Sequence, residues 1–386
     1  KLKVTVPDSG YTDHFRLTRN NKNILETALI DEDTVITDKG LKPDTDYRYQ
    51  AYYLKNSTVK DSSNEVFVHT RPTTSHNFVW ELDSLGIRRS LIRDVWIVNE
   101  NDIWAVGQIY MPDPDSSWSG TGEERFNAAH WDGNEWEIMR IVNSAPLYSI
   151  WYFNENDIWV SSGFPMHWDG NQWIRYHLKN MGYDVSTENI WGTSSSNMYF
   201  TGLEGSLVHY NGSDFTKMET GTEIDLKSIS GTPDGEHVFI TGYENSGELS
   251  GQSIALEITN GELKTLFSSD NGPFGNPSQG DYGRFQAVEV IDNIAYFTTG
   301  GTWILKYNIE TKETEYSIDT EGFSFESISA NSRNDILLTS KWANICHFNG
   351  EDWHIDNTFY NMFGPHFLFP QAGKIKDDII VIGCAL

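Results

Sequence analysis

Apolar and polar residues alternate with a period of two through most of this sequence, in short runs separated by Gly, Asn, Asp and Ser. Lys3-Val4-Thr5-Val6, Asp33-Thr34-Val35-Ile36-Thr37 and Asp46-Tyr47-Arg48-Tyr49-Gln50-Ala51-Tyr52-Tyr53 are three early runs, and Glu65-Val66-Phe67-Val68-His69-Thr70 is a fourth, ending at Arg71-Pro72. Such alternation turns one face of each segment to a core and the other to water, and predicts an antiparallel sandwich. From residue 99 a longer rhythm is superimposed. Asn99-Glu100-Asn101-Asp102-Ile103-Trp104 matches Asn154-Glu155-Asn156-Asp157-Ile158-Trp159, and His130-Trp131-Asp132-Gly133-Asn134-Glu135-Trp136 matches His167-Trp168-Asp169-Gly170-Asn171-Gln172-Trp173. Weaker copies follow around Tyr199 with His209, Phe239 with Asn260-Gly261, Tyr296, Ile336 with His347, and Ile380.

The copies recur at roughly 40 to 57 residues, a period that suits four-stranded propeller blades. One unit reads as an inner strand, Tyr148 to Phe153, an Asn-Glu-Asn turn, a second strand from Asp157, a third at Met166-His167-Trp168 and a fourth from Gln172. Asp-Gly and Asn-Gly between strands are strong hairpin signals, because the central residues of that turn need positive φ. The last copy holds two strands, near His366 to Phe369 and through Ile380 to Ile382, before the sequence stops at Leu386. Asn77-Phe78-Val79-Trp80-Glu81-Leu82 reads as a fourth strand with no blade of its own. The expectation is therefore an all-β chain: a module over 1–72, a linker over 73–76, and a seven-bladed β-propeller over 77–386. Its last blade is split between 77–83 and 365–386. The third strand of that blade is left to a continuation beyond Leu386 or to a three-stranded blade.

The run Gly40-Leu41-Lys42-Pro43-Asp44-Thr45-Asp46-Tyr47-Arg48-Tyr49-Gln50-Ala51 resembles the fibronectin type III pattern, in which a Leu-x-Pro-x-Thr-x-Tyr corner enters a long strand. The resemblance covers residues 1 to about 72 and implies that the Tyr47 hydroxyl bonds back to the backbone at the corner. The pairing of this module with Trp-Asp-Gly turns resembles surface lipoproteins of Gram-negative bacteria. The Gly-ended second strands are also similar to propeller repeats of the photosystem-assembly type. The Ser-x-Asp-x-Gly-x-Thr-Trp box of sialidases is missing.

Composition narrows the partners. The 386 residues carry 28 basic against 55 acidic side chains, a net charge of −27, so nucleic acid and anionic membranes are disfavoured. The 14 Trp, 18 Tyr and 20 Phe suit pleated, half-buried surfaces. Cys346 and Cys384 lie in different repeats and offer no disulfide framework. No run approaches the roughly 20 apolar residues of a membrane span. The sequence opens at Lys1 without Met, as after removal or omission of a signal peptide. The expected location is the exterior or outer-membrane surface of a Gram-negative bacterium, with a lipid anchor upstream of Lys1 as one arrangement.

Candidate chemistry is sparse. His130, His167, His209 and His347 each precede an aromatic at one place in different blades, so they radiate apart and cannot share an ion. Asp113-Pro114-Asp115 could ligate a cation but does not by itself supply the roughly six oxygens that calcium wants from one loop, which leaves calcium binding by the acidic loops open. No nucleophile elbow, phosphate loop, zinc motif or EF-hand occurs. No catalytic residue, metal ligand or cofactor is assigned. The long segments are better candidates: Gln108 to Asn127 with Trp118, Asp113, Asp115, Glu123 and Glu124; Tyr243 to Ser253; Ser268 to Arg284 with Phe274 and Tyr282; Lys179 to Thr187 with Tyr183; Asn357 to Pro365 with Phe359 and Tyr360. Strand alternation brings second-to-third and blade-to-blade connections out on one face, where binding loops belong. The expected function is non-enzymatic binding of an outer-membrane or extracellular protein, or a glycan, through Trp118, Tyr243, Phe274, Tyr282, Tyr183 and Tyr360. The alternatives are a polysaccharide-active enzyme with carboxylates drawn from several blades, and a structural subunit of an outer-membrane assembly.

Overall fold

Pairing of the alternating runs is antiparallel throughout. The computed structural model describes residues 2–4, 13–28, 34–36, 38, 40–113, 122–244, 251–268, 284–300, 304–317, 325–340, 344–364 and 369–385. Two units separate: residues 1–77 with 348–352, and 78–347 with 353–386.

In the smaller unit, Asp46–Lys55 is the central strand of a five-stranded sheet. It pairs with His14–Arg19 on one side and with Thr58–Ser62 and Val66–His69 on the other. Lys22–Ala28 lies outside His14–Arg19, and Leu2–Val4 pairs separately with Thr34–Ile36. Period two is followed closely: Tyr47, Tyr49, Ala51 and Tyr53 are buried, and the last two pack with Phe15 and Leu17. The Lys42 backbone N–H donates to the Tyr47 hydroxyl at 2.8 Å, closing the corner onto the backbone. His14–Arg19 and Lys22–Ala28 were not among the expected strands. Their turn is Asn20-Asn21, both at positive φ (49° and 63°), a conformation that Asn tolerates.

In the larger unit five sheets have four strands each, joined in sequence order. A sixth sheet joins four strands between residues 91 and 139 to Phe369–Lys376 and Ile379–Ala385 through the pair Ala385↔Leu91. The inner strands are Leu91–Asn99, Ser149–Asn154, Ser186–Ser194, Leu226–Gly231, Phe285–Ile291, Phe325–Ser332 and Phe369–Lys376, the first and last of them in the sixth sheet. Apolar faces of neighbouring sheets make the core. Val106, Ile150, Val160 and Met166 fill one such seam, and Trp159, Ile190, Phe200 and Val208 the next. Side chains of one inner strand tie to the backbone of the next. Asp94 accepts the Ile150 N–H (3.0 Å), Asn189 donates to the Leu226 carbonyl (3.0 Å), and Ser329 accepts the Ile375 N–H (3.2 Å).

Three expectations need correction. Residues 77–83 are not in a strand. Phe78 and Trp80 are half-buried while Val79 is 93% exposed, so the alternation is real but anchors through side chains rather than a ladder. Trp80 packs edge-on against Phe359 at 4.9 Å and donates Nε1–H to Asp356 at 2.8 Å. The inner strand of the last pair is Phe369–Lys376, downstream of the expected His366 to Phe369, of which 366–368 lie outside the described residues. In the Asp-Gly-Asn turns only the glycine has positive φ (93° at Gly133, 89° at Gly170). The aspartate instead accepts two backbone N–H groups: Asp169 Oδ1 takes those of Asn171 (2.8 Å) and Gln172 (2.9 Å). These bonds hold Asp169 below its ordinary pKa.

Candidate functional site

The repeated histidines build the sheets. Each sits on a third strand and bonds to a residue at the start of the second: His130 to Asp102 (2.9 Å), His167 to Asp157 (2.9 Å), His209 to Asn197 (2.8 Å) and His347 to Asp335 (2.7 Å). The second-strand aromatic stacks on the ring, with centroids 4.3 Å apart for Trp104 and His130 and 4.2 Å for Trp159 and His167. A loop of bonds crosses to the next sheet. Trp159 Nε1–H donates to Ser195 Oγ at 3.0 Å, and the Ser195 hydroxyl donates to Asp157, which also holds His167. The imidazoles are therefore committed to strand registration.

The expected binding aromatics are placed unevenly. Trp118, Phe274 and Tyr282 lie outside the described residues. Tyr243 ends a strand and pairs with Ser253 rather than standing on a loop. Tyr183 follows the short helix Leu178–Met181, packs on the Trp159 core, and donates its hydroxyl to the Phe215 carbonyl at 2.9 Å. Tyr360 is 39% exposed on the helix Thr358–Phe363 while its neighbour Phe359 is buried. Much of Gln108 to Asn127 is strand: Asp102–Pro112 and Glu123–Trp131 form one long hairpin. Glu123 and Glu124 are ion-paired to Arg89 and Arg140, and Asp115 lies outside the described residues.

The feature that sequence reading missed is a central cavity of about 510 Å³, lined by all the inner strands. Its wall carries Arg93, Asp94, Lys227, Glu289, Glu326 and Lys374, with Trp96 and Trp151 among its aromatics. Trp96 and Trp151 meet edge-on at 4.8 Å, and the Arg93 guanidinium lies 4.8 Å over the Tyr148 ring. Burial pushes the Glu289 carboxyl up to about 7, opposed by the field of Lys374. Asp94 is raised for the same reason, although Lys374, the Ile150 N–H and the Ser149 hydroxyl all pull it down. On the next inner strand but one from Asp94, burial raises Glu188 against the field of Lys227. The inner strands had no polar motif to betray this wall; their scattered charges, such as Glu188, Lys227, Glu289 and Glu326, follow no shared spacing in the sequence.

These radial four-stranded sheets about a cavity define a β-propeller. No protein-family model matches the sequence, and no curated protein matches it. Among solved structures, YCF48 bound to D1 peptide superposes with a TM-score of 0.55 at 12% identity, covering 78% of this chain and 93% of that one. YCF48 from Cyanidioschyzon merolae gives 0.54 at 11% identity, with 78% and 95% covered. The WD40 propeller domain of Doa1 gives 0.54 at 10% identity, with 78% and 92% covered. At such identities the likeness is one of fold. No helix among the described residues is long and apolar enough to cross a membrane.

Proposed function

We propose that the chain is a seven-bladed propeller with a fibronectin type III-like module, serving as a non-enzymatic binding protein at the bacterial cell surface. The seven inner strands and the Tyr47 corner bond support this architecture. The partner is an extended segment of another protein, held on the face where the long connections emerge. The observation that carries this reading is the contrast between the two ends of the sheets. Among the described residues one end has short connections, such as the Asn-Glu-Asn and Asp-Gly-Asn turns, sealed by bonds such as Trp168 Nε1–H to the Glu155 carbonyl at 3.1 Å. The other carries the long connections, including the helix with exposed Tyr360. A protein partner is preferred over a glycan because the structural neighbour YCF48 holds a peptide.

The test is peptide-array binding with each face altered separately. Tyr360→Ala and Trp118→Ala should each weaken captured peptides by about 1 to 3 kcal/mol if they are anchors, while Asn154→Ala on the tight-turn end should not. The reverse pattern would refute the reading.

A second reading rests on Glu289. A carboxyl with a pKa near 7 can act as a general acid at neutral pH. It needs a second, free carboxylate within roughly 5 to 9 Å. Asp94 is committed to three hydrogen bonds, from Val95, Ser149 and Ile150, which favours binding over hydrolysis. Hydrolysis of polysaccharides that is abolished in Glu289→Gln would reverse that preference.

A further inference from the structure

The charges around the central cavity are not equally satisfied. Asp94 accepts the Ser149 hydroxyl at 2.9 Å and two backbone N–H groups. Lys227 pairs with Asp225 at 2.8 Å, and Lys376 donates to the carbonyls of Ile97 and Val98 at 3.1 and 2.7 Å. Arg93 lies over the Tyr148 ring, although its buried Nε has no hydrogen-bond partner, and Glu326 has a polar or electrostatic partner of its own. Glu289 and Lys374 remain. Both line the cavity, yet neither has a hydrogen bond or an ion pair among the described residues, including with each other.

Two opposite, unpaired charges on one cavity wall set up a field across the space between them. A lone amine that approaches Glu289 is repelled by Lys374, and a lone carboxylate that approaches Lys374 is repelled by Glu289. A molecule with both groups gains at both ends, and in a partly desolvated cavity each gain exceeds its value in water. We propose that the central cavity binds a small aminocarboxylate, its ammonium facing Glu289 and its carboxylate facing Lys374. A cavity of about 510 Å³ accommodates such a molecule. Burial raises the Glu289 carboxyl to about 7 despite Lys374, so an arriving cation further favours its ionised form. Trp96 and Trp151 line the same cavity and report on its occupancy. The site is separate from the long-connection face and stands whether or not a protein binds there.

The experiment titrates the full chain with glycine, 4-aminobutyrate and 6-aminohexanoate, with methylammonium and acetate as half-ligands. Heat and tryptophan fluorescence are recorded. One spacing should bind at least about tenfold tighter than either half-ligand. Glu289→Gln and Lys374→Met should each remove about that factor while the thermal unfolding profile stays near that of the parent. Should a variant fold poorly, the half-ligand comparison on the parent chain decides alone. The proposal is overturned if no aminocarboxylate exceeds acetate and methylammonium, or if well-folded variants bind as the parent does.

Discussion

At the scale of single residues, polar side chains on the repeat do structural work. Asp157 is the hub between His167 and Ser195. Asp157→Ala leaves both partners unsatisfied and should cost about 1 to 3 kcal/mol in urea unfolding. Ser195→Ala removes one spoke and should cost less; equal losses would mean that the network is not shared. Glu257 is the other hub. It is fully buried against His237 (3.0 Å), Lys264 (2.9 Å) and Lys312 (3.3 Å). Burial alone would raise its pKa, but the bonds to Lys264 and His237 and the field of Lys312 outweigh burial and hold it below 4.5. A carboxylate depressed on folding lends stability that is complete above its unfolded pKa and is lost as pH falls through the folded value. Stability against urea should therefore fall below about pH 4.5, and Glu257→Gln should flatten that acid limb while lowering stability at pH 7. An unchanged acid limb would assign acid sensitivity elsewhere.

At the scale of elements, the glycines that end second strands answer a bulge in the inner strand. Register shifts fall between Ile92 and Asp94, Thr187 and Asn189, and Leu226 and Ser228, opposite Gly107, Gly202 and Gly242. A Cβ on Gly107 or Gly202 would lie 2.0 Å from the carbonyl oxygen of Leu91 or Ser186. Gly202→Ala should thus cost about 1 to 3 kcal/mol, read as a lowered melting temperature. Residues 78–80 make a sharper test. Trp80→Ala should destabilise by roughly 2 to 4 kcal/mol, whereas Val79→Asp, at an exposed position, should leave the melting temperature unchanged. Losses at both positions would point to strand pairing after all. This segment marks the limit of what was legible in the sequence. Alternation located all four strands of one unit and the second strand of each copy, because each buries one face, and the aligned His and Asp positions are visible as repeated letters. Alternation cannot tell a strand from an extended segment held by its side chains, so 77–83 was misread. The Asn20-Asn21 hairpin was overlooked because one of its two strands, Lys22–Ala28, is mostly exposed and shows no apolar face. Glu289 and Lys374 were invisible because an isolated charge in a strand looks ordinary until the strands are brought around a common axis.

At the scale of the larger unit, stability comes from sheet-to-sheet seams, and one seam differs from the others. The last two strands meet the first sheet through one backbone pair, Ala385↔Leu91, backed by the packing of Ala372 and Val381 on Ile92 and Val95 and by the two bonds of Lys376. Lys376→Met should weaken this seam selectively, detected as faster proteolysis near residues 369–385 with little change near Trp159; uniform protection would contradict it. The seam also has a kinetic meaning. The strands that meet there are not consecutive in sequence, so no connecting segment tethers the two sides, and transient opening there would be the fastest of the ring's local openings. In deuterated water the Gly383 and Ala385 amides should then exchange well before those of Val160 and Phe200, making the junction the clock by which the ring breathes.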